Sequence, residues 1–180
     1  AMNQTGMPVT QVIHLWSLES TTDPLQDHSD ALDTSLYSLL FLVQALAAVQ
    51  AEDTPVSVLM ASTQTQPVLD TDTVIAERAT VLGFLKAATQ EMPWLECRHL
   101  DLPADAGTDA VQWIRAELVA RTTDIEVAYR QGTRWVPRLA SVNWTDQRRQ
   151  PIPFKQGGMY VLSGGLGGVG LHPEAHDAVD

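Results

Sequence analysis

Three short strand-like segments, two apolar and one alternating, are interleaved with segments of helical period, and that order confines the chain to a layered α/β fold. Val12-Ile13-His14-Leu15-Trp16, Val56-Ser57-Val58-Leu59-Met60-Ala61 and Leu95-Glu96-Cys97-Arg98-His99-Leu100 each have the length of a strand. The middle run is apolar almost throughout, as suits a parallel strand covered on both faces. After a polar loop from Glu19 to Ser29, Leu32, Leu36, Leu39, Leu40, Val43, Leu46 and Ala47 recur at helical spacing. Ser29 or Asp30 is placed to cap that helix. Val74, Ile75, Ala79, Leu82, Leu85 and Met92 predict a second helix over residues 72–91, stopped by Pro93. Asp109, Ala110, Ile114, Leu118 and Val119 predict a third, capped by Thr108 or Asp109. Strand and helix in strict alternation predict three layers around a mostly parallel sheet.

The pattern then changes. Ile125 to Tyr129, the turn Gln131-Gly132, and Arg134 to Leu139 read as a β-hairpin, expected at the sheet edge. A polar, proline-containing linker runs from Thr145 to Pro153, and Met159-Tyr160-Val161-Leu162 reads as a strand entering a glycine-rich turn.

Composition narrows the partners. The hydrophobic share of 44% and charged share of 18% over 180 residues suit one globular domain with a real core. A formal net charge of −11, with no Lys/Arg-rich stretch, weighs against nucleic acid and against anionic membrane surfaces. The longest apolar stretch, Leu36 to Val49, is interrupted by Tyr37, Ser38 and Gln44, and is short for a bilayer span. No charged-then-apolar leader opens the sequence, and the expected location is the cytoplasm. Cys97 is the sole cysteine, so no intrachain disulfide forms, and its apolar setting reads as core.

One motif carries chemistry. Gly165-x-Gly167-x-x-Gly170 follows a predicted strand, the context in which glycines allow a tight turn and close approach to a pyrophosphate. A working dinucleotide site also requires a helix of several turns, a further strand and a ribose-binding residue. Only Leu171 to Asp180 follow, with Pro173 among them. Gly165, Gly167 and Gly170 are therefore cofactor-loop positions that this chain alone is not expected to fill.

The other candidates read as structural. His172 and His176, with Glu174 and Asp177, have the i, i+4 spacing of half a zinc site but lack the glutamate after the first histidine. They lie in the terminal segment, where fraying is the default, and no metal site is expected. His14 and His99 sit singly in strands. Asp101 and Asp105 read as a strand end rather than an acid–base pair. Ser163 precedes the glycines without a Gly-x-Ser-x-Gly elbow. Trp94, Trp113 and Trp135 are dispersed, as packing residues are.

Several segments, in order, resemble the ketoreductase domain of modular polyketide synthases. Gly158 through Gly170 is similar to that family's strand-into-glycine junction, with Ser163 where threonine is usual. Tyr129 to Leu139, with Val136-Pro137-Arg138-Leu139, resembles its closing hairpin. Val81 to Leu85, Glu91-Met92-Pro93 and His99-Leu100-Asp101-Leu102-Pro103 resemble its helix, turn and strand end.

The resemblance implies a truncated Rossmann-like structural subdomain over residues 8–156, with the first strand and glycine turn of a catalytic subdomain at 157–170. Residues 171–180 would be a tail. In the family, NADPH, the catalytic serine, tyrosine and lysine, and the β-ketoacyl group on the phosphopantetheine arm of an acyl carrier protein all belong with the catalytic subdomain. Nothing after Gly170 matches it. The implied role is a non-catalytic half that braces a reductase half or neighbouring synthase domains. A vestigial or docking module with no reductase activity is the alternative, and a small free-standing dinucleotide-binding protein is a third reading.

Overall fold

The computed structural model describes residues 8–18, 28–49, 54–141, 155–161 and 163. Its elements run β1 (Gln11–Ser17), α1 (His28–Leu32), a π-helical turn (Asp33–Tyr37), α2 (Ser38–Val49), β2 (Val56–Thr63), α3 (Ala76–Glu91), β3 (Leu95–Leu102), α4 (Asp109–Val119), β4 (Glu126–Arg130) and β5 (Thr133–Trp135). Two compact units divide the chain, Ala1–Leu139 and Ala140–Asp180.

In the first unit the five strands form one sheet in the order β1-β2-β3-β4-β5. β1 through β4 are parallel, with Met60 opposite both His14 and His99, and Asp101 opposite Ala128. β5 returns antiparallel beside β4. The turn between them is Gln131-Gly132, both with positive φ (52° and 71°), the geometry a two-residue hairpin needs to follow strand twist. The expected hairpin is present and lies at the edge. Its second arm is three residues, where the sequence predicted six, because the proline at 137 has no N–H to extend the ladder.

Strand alternation sorts the core onto two faces. Val56, Val58 and Met60 point to one side with Leu95 and Cys97, where Leu39, Val43 and Leu46 of α2 and Val81, Leu85 and Ala88 of α3 bury them. Leu59, Ala61, Leu100, Leu102, Val127 and Tyr129 point to the other side, toward Trp113, Ile114 and Leu118 of α4. This is the three-layer, mostly parallel, Rossmann-like arrangement expected of the sequence. The strands advance in one direction while the helices change face, so the α4 crossover turns opposite to the two before it.

Helix ends differ from expectation. Thr108 stands at the N-cap of α4 in helical conformation and its side chain makes no capping hydrogen bond. The α2 region starts at His28 and is interrupted by the π turn, whose Ser35 is fully buried. There Ser17 Oγ donates to the Thr34 carbonyl at 3.0 Å, and His14 Nε2 meets Ser38 Oγ at 2.9 Å. These contacts tie the turn to β1 at a place where the helical ladder is widened.

In the second unit, Gly157 takes a positive φ of 74° and Gly158 N–H donates to the Lys155 carbonyl at 2.9 Å, closing a turn. Met159, Tyr160 and Val161, expected as a strand with Leu162, are exposed and join no ladder among the described residues.

The two faces of α2 make unequal contributions to stability. Leu39 is 0% exposed and Phe41 63% exposed. Leu39→Ala is expected to cost about 2–5 kcal/mol in urea denaturation, and Phe41→Ala less than about 0.5 kcal/mol.

Candidate functional site

The carboxyl ends of β2, β3 and β4 are where an open α/β sheet ordinarily receives its ligand. Here that end is filled by the protein's own polar groups. Asp101, 0% exposed, accepts at Oδ1 from Thr65 N (3.1 Å) and Thr65 Oγ1 (2.7 Å). Its Oδ2 accepts from Gln66 N at 3.2 Å and from Arg130 Nη2 at 2.5 Å. All five Arg130 N–H groups are engaged. Nε donates to Asp72 Oδ2 at 2.9 Å, Nη1 to the Asp101 and Tyr129 carbonyls, and Nη2 to the Gln66 carbonyl and Asp101. Burial alone would raise the Asp72 carboxyl, but the Leu69 and Val68 amides and Arg130 hold it below its ordinary value. Arg130 is held above its own ordinary range: burial opposes the charge, and Asp101 and Asp72 outweigh it.

Beside this node, Ser62 Oγ lies 2.7 Å from His99 Nε2, with Asp101 two residues further along β3. Serine, histidine and aspartate so placed invite comparison with a nucleophilic triad, but the partners differ from one. His99 Nε2 faces both Ser62 Oγ and, at 3.4 Å, Thr65 Oγ1, while His99 Nδ1 faces the Gln66 side-chain amide at 3.2 Å and not a carboxylate. The Asp101 carboxylate is engaged instead by Thr65, Gln66 and Arg130. The group is also sealed, with Ser62 0% and His99 1% exposed. Burial pushes His99 down to about 4, against smaller upward contributions from Asp101 and Glu126, so the ring is neutral near pH 7.

A second node anchors α4. Glu117, 2% exposed, accepts from Arg134 Nε at 2.7 Å, Arg134 Nη2 at 3.2 Å and Tyr129 OH at 3.0 Å. Arg98 Nη2 donates to the Glu117 carbonyl. Trp113 stacks on Tyr129 with ring centroids 5.0 Å apart. Arg134 and Arg138 also bind Asp124, which they hold well below the usual carboxylate range. Burial first, then Glu117, raises the Tyr129 phenol.

The remaining sequence candidates disperse. Cys97 is buried and burial raises its thiol, so it is no nucleophile. His14 is buried and burial lowers it, leaving a neutral ring. Asp105 is exposed while Asp101 is sealed, so the two share no site. Trp94 packs against the α2–α3 core, Trp113 against Tyr129, and Trp135 is half exposed on β5. Ser163 is exposed. Gly165, Gly167, Gly170, Pro173, His172, Glu174, His176 and Asp177 lie outside the described residues. Among the described residues no three His, Cys, Asp or Glu side chains gather as metal ligands.

Two shallow clefts lie among the described residues. One of about 140 Å³ lies between β1, β2 and the end of α4, lined by Gln11, Ser57, Leu59, Glu96, Arg98 and Leu118 among others. One of about 200 Å³ lies between Gln66-Pro67-Val68 and Trp135-Val136-Pro137. Both are smaller than the pockets that hold cofactors. The described strands never reverse their order, so they create no switch-point crevice, and the carboxyl end is closed by Asp101 and Arg130.

Comparison with known proteins places this geometry in a synthase setting. Residues 1–117 match the family profile described as beta-ketoacyl synthase-like, N-terminal. The chain belongs to that family. Among solved structures it is similar to the "Adenylation, ketoreductase, and pseudo Asub multidomain structure of a keto acid-selecting NRPS module", at TM-score 0.79 and 31% identity. The match covers 94% of this chain and 14% of that one, so the chain spans a small part of the polypeptide it resembles. No curated protein matches. The expected synthase-type multidomain setting is supported at this level. The family description names a synthase, whereas a ketoreductase is named only for the similar structure.

Three measurements follow from the buried groups. Arg130→Ala leaves Asp101 buried without its cation and is expected to cost about 3–5 kcal/mol in chemical denaturation. Arg130→Lys should recover little of it, because an ammonium cannot serve five acceptors in a fork. Stability should also fall on acidification. The folded His99 value of about 4 lies below the unfolded 6.5, so the unfolded chain binds the extra proton between those values. The contribution is complete above about pH 6.5 and is lost progressively toward pH 4, about 3 kcal/mol in all. Urea midpoints at pH 7 and pH 5 should differ in that sense, and His99→Gln should flatten the difference.

Proposed function

We propose that this chain is the non-catalytic structural subdomain of a polyketide-synthase-type ketoreductase. Its task is to brace a separate catalytic half that uses NADPH, in the cytoplasm, to reduce β-ketoacyl groups carried on an acyl carrier protein. The observation that carries the reading is the match over 94% of the chain to a multidomain module that includes a ketoreductase. The ordered motifs from Val81 to Gly170 point the same way. The closed carboxyl end of the sheet supports the division of labour: this half has the fold of a nucleotide-binding layer without a crevice to hold one.

In this role the chain's residues supply rigidity. Arg130, Asp101 and Asp72 lock the loop after β2 to β3 and β4. Glu117 and Arg134 lock α4 to the hairpin. Gly165, Gly167 and Gly170 would contribute to the cofactor loop only once a catalytic half supplies the helix and strands around it. A docking module without reductase activity is the second reading, favoured by apolar side chains left open on β1, with Ile13 42% and Leu15 43% exposed.

Isothermal calorimetry of the purified chain with NADPH is expected to give no binding heat, and a β-keto thioester with NADPH no turnover. Mixing in a matching catalytic fragment is expected to restore ketone reduction. Turnover by the chain alone would overturn the assignment, and failure of complementation would favour the docking module.

A further inference from the structure

We propose that the outer face of α2 is a docking surface for a basic, amphipathic helix of a partner protein. The inner face of this helix is fixed in the core through Leu39, Val43 and Leu46. Its outer face should then be polar, and Gln44 is the only exposed polar residue on α2 among the described ones. Phe41 is 63% and Val49 53% exposed, Ala45 and Ala48 are exposed with them, and Tyr37, the last residue of the π turn just before α2, is 42% exposed. Tyr37, Phe41 and Ala45 are spaced by four, as are the anchor positions of a helix-in-groove contact.

Charge selects the occupant. No lysine or arginine occurs before Arg78, while ten carboxylates do. Asp30 and Asp33 are exposed at the start of the same helical run, just ahead of Tyr37. A second copy of this chain would bring carboxylates against carboxylates, which disfavours self-association through this face. A partner with apolar residues at helical spacing and Lys/Arg toward one end would satisfy both the aromatic row and the acidic end. A membrane is the other apolar environment to weigh, since Asp30–Val49 is long and apolar enough to cross one by length and composition. The core-facing leucines oppose insertion, because withdrawing α2 would open the centre of the domain, and the carboxylates oppose anionic lipid.

The inference rests on the reading of this chain as a non-catalytic module, which the reductase assays above test separately. The experiment uses the full 180-residue chain and a fluorescent synthetic peptide of leucine and lysine, patterned as an amphipathic helix. A control peptide has the same composition with its order scrambled. Anisotropy titrations are expected to show saturable binding of the patterned peptide, weakened at least tenfold by Tyr37→Ser/Phe41→Ser and about threefold by Asp30→Asn/Asp33→Asn. Both variants change exposed positions, so their circular dichroism and urea midpoints should match the parent. Equal affinity for the scrambled peptide, no loss in the serine variant, or no binding at all would overturn the proposal. So would Tyr37- and Phe41-dependent binding to phosphatidylcholine vesicles, which would make the face a lipid contact.

Discussion

The guanidinium of Arg130 is the point on which the first unit of this protein depends. It sits at the end of β4 and joins the carboxylates of β3 and the loop before α3 to the backbone after β2. Neither charge could be buried alone at tolerable cost, so each holds the other in place. The consequence reaches further than the pair. With Asp101 also receiving the amides of Thr65 and Gln66, the chain leaving β2 is committed to cross over the top of β3. The mouth of the sheet is thereby shut by the protein's own hydrogen bonds.

That closure fills the end of the sheet with the protein's own polar groups. Ser62, His99 and Asp101 meet within hydrogen-bonding distance of one another's partners, and in an open cleft they would invite a catalytic reading. Here the carboxylate is taken by Thr65, Gln66 and Arg130, and the imidazole lies between Ser62 and the Gln66 side chain. Buried chains of this kind strengthen each link in turn and fix a single arrangement. The same logic operates on the opposite face, where Glu117 gathers Arg134, Tyr129 and Arg98 around α4. Rigidity is the property these two nodes confer, and rigidity is what a bracing half of a larger synthase would be required to supply.

Much of the architecture is legible in the sequence. The strand runs at Val12, Val56 and Leu95 and the leucine spacing from Leu32 to Leu46 report periodicity, which depends only on which side of an element faces water. Gln131-Gly132 reports a hairpin because few residues accept positive φ in succession. The second hairpin arm is shorter than its apolar run, since a run through Val136 to Leu139 does not by itself say where the ladder stops. Met159 to Val161 join no ladder among the described residues, and composition by itself does not name the neighbour a strand would pair with. The π turn at Asp33–Tyr37 leaves no signal, because a widened helical turn needs no distinctive residue.

By itself the sequence determined the number of layers, the parallel sheet and the absence of a disulfide, because these follow from local pattern and from the identity of single residues. The direction in which the strands advance, the change of face at α4 and the shut carboxyl end were decided only in three dimensions. They depend on which distant carboxylate meets which guanidinium, and a charged residue in a strand gives no indication of its partner fifty-eight positions away, the separation of Asp72 from Arg130. Asp101 and Arg130 are visible in the sequence as charges in otherwise apolar strands. That each would satisfy the other, and so leave no room for a ligand, was a decision of packing.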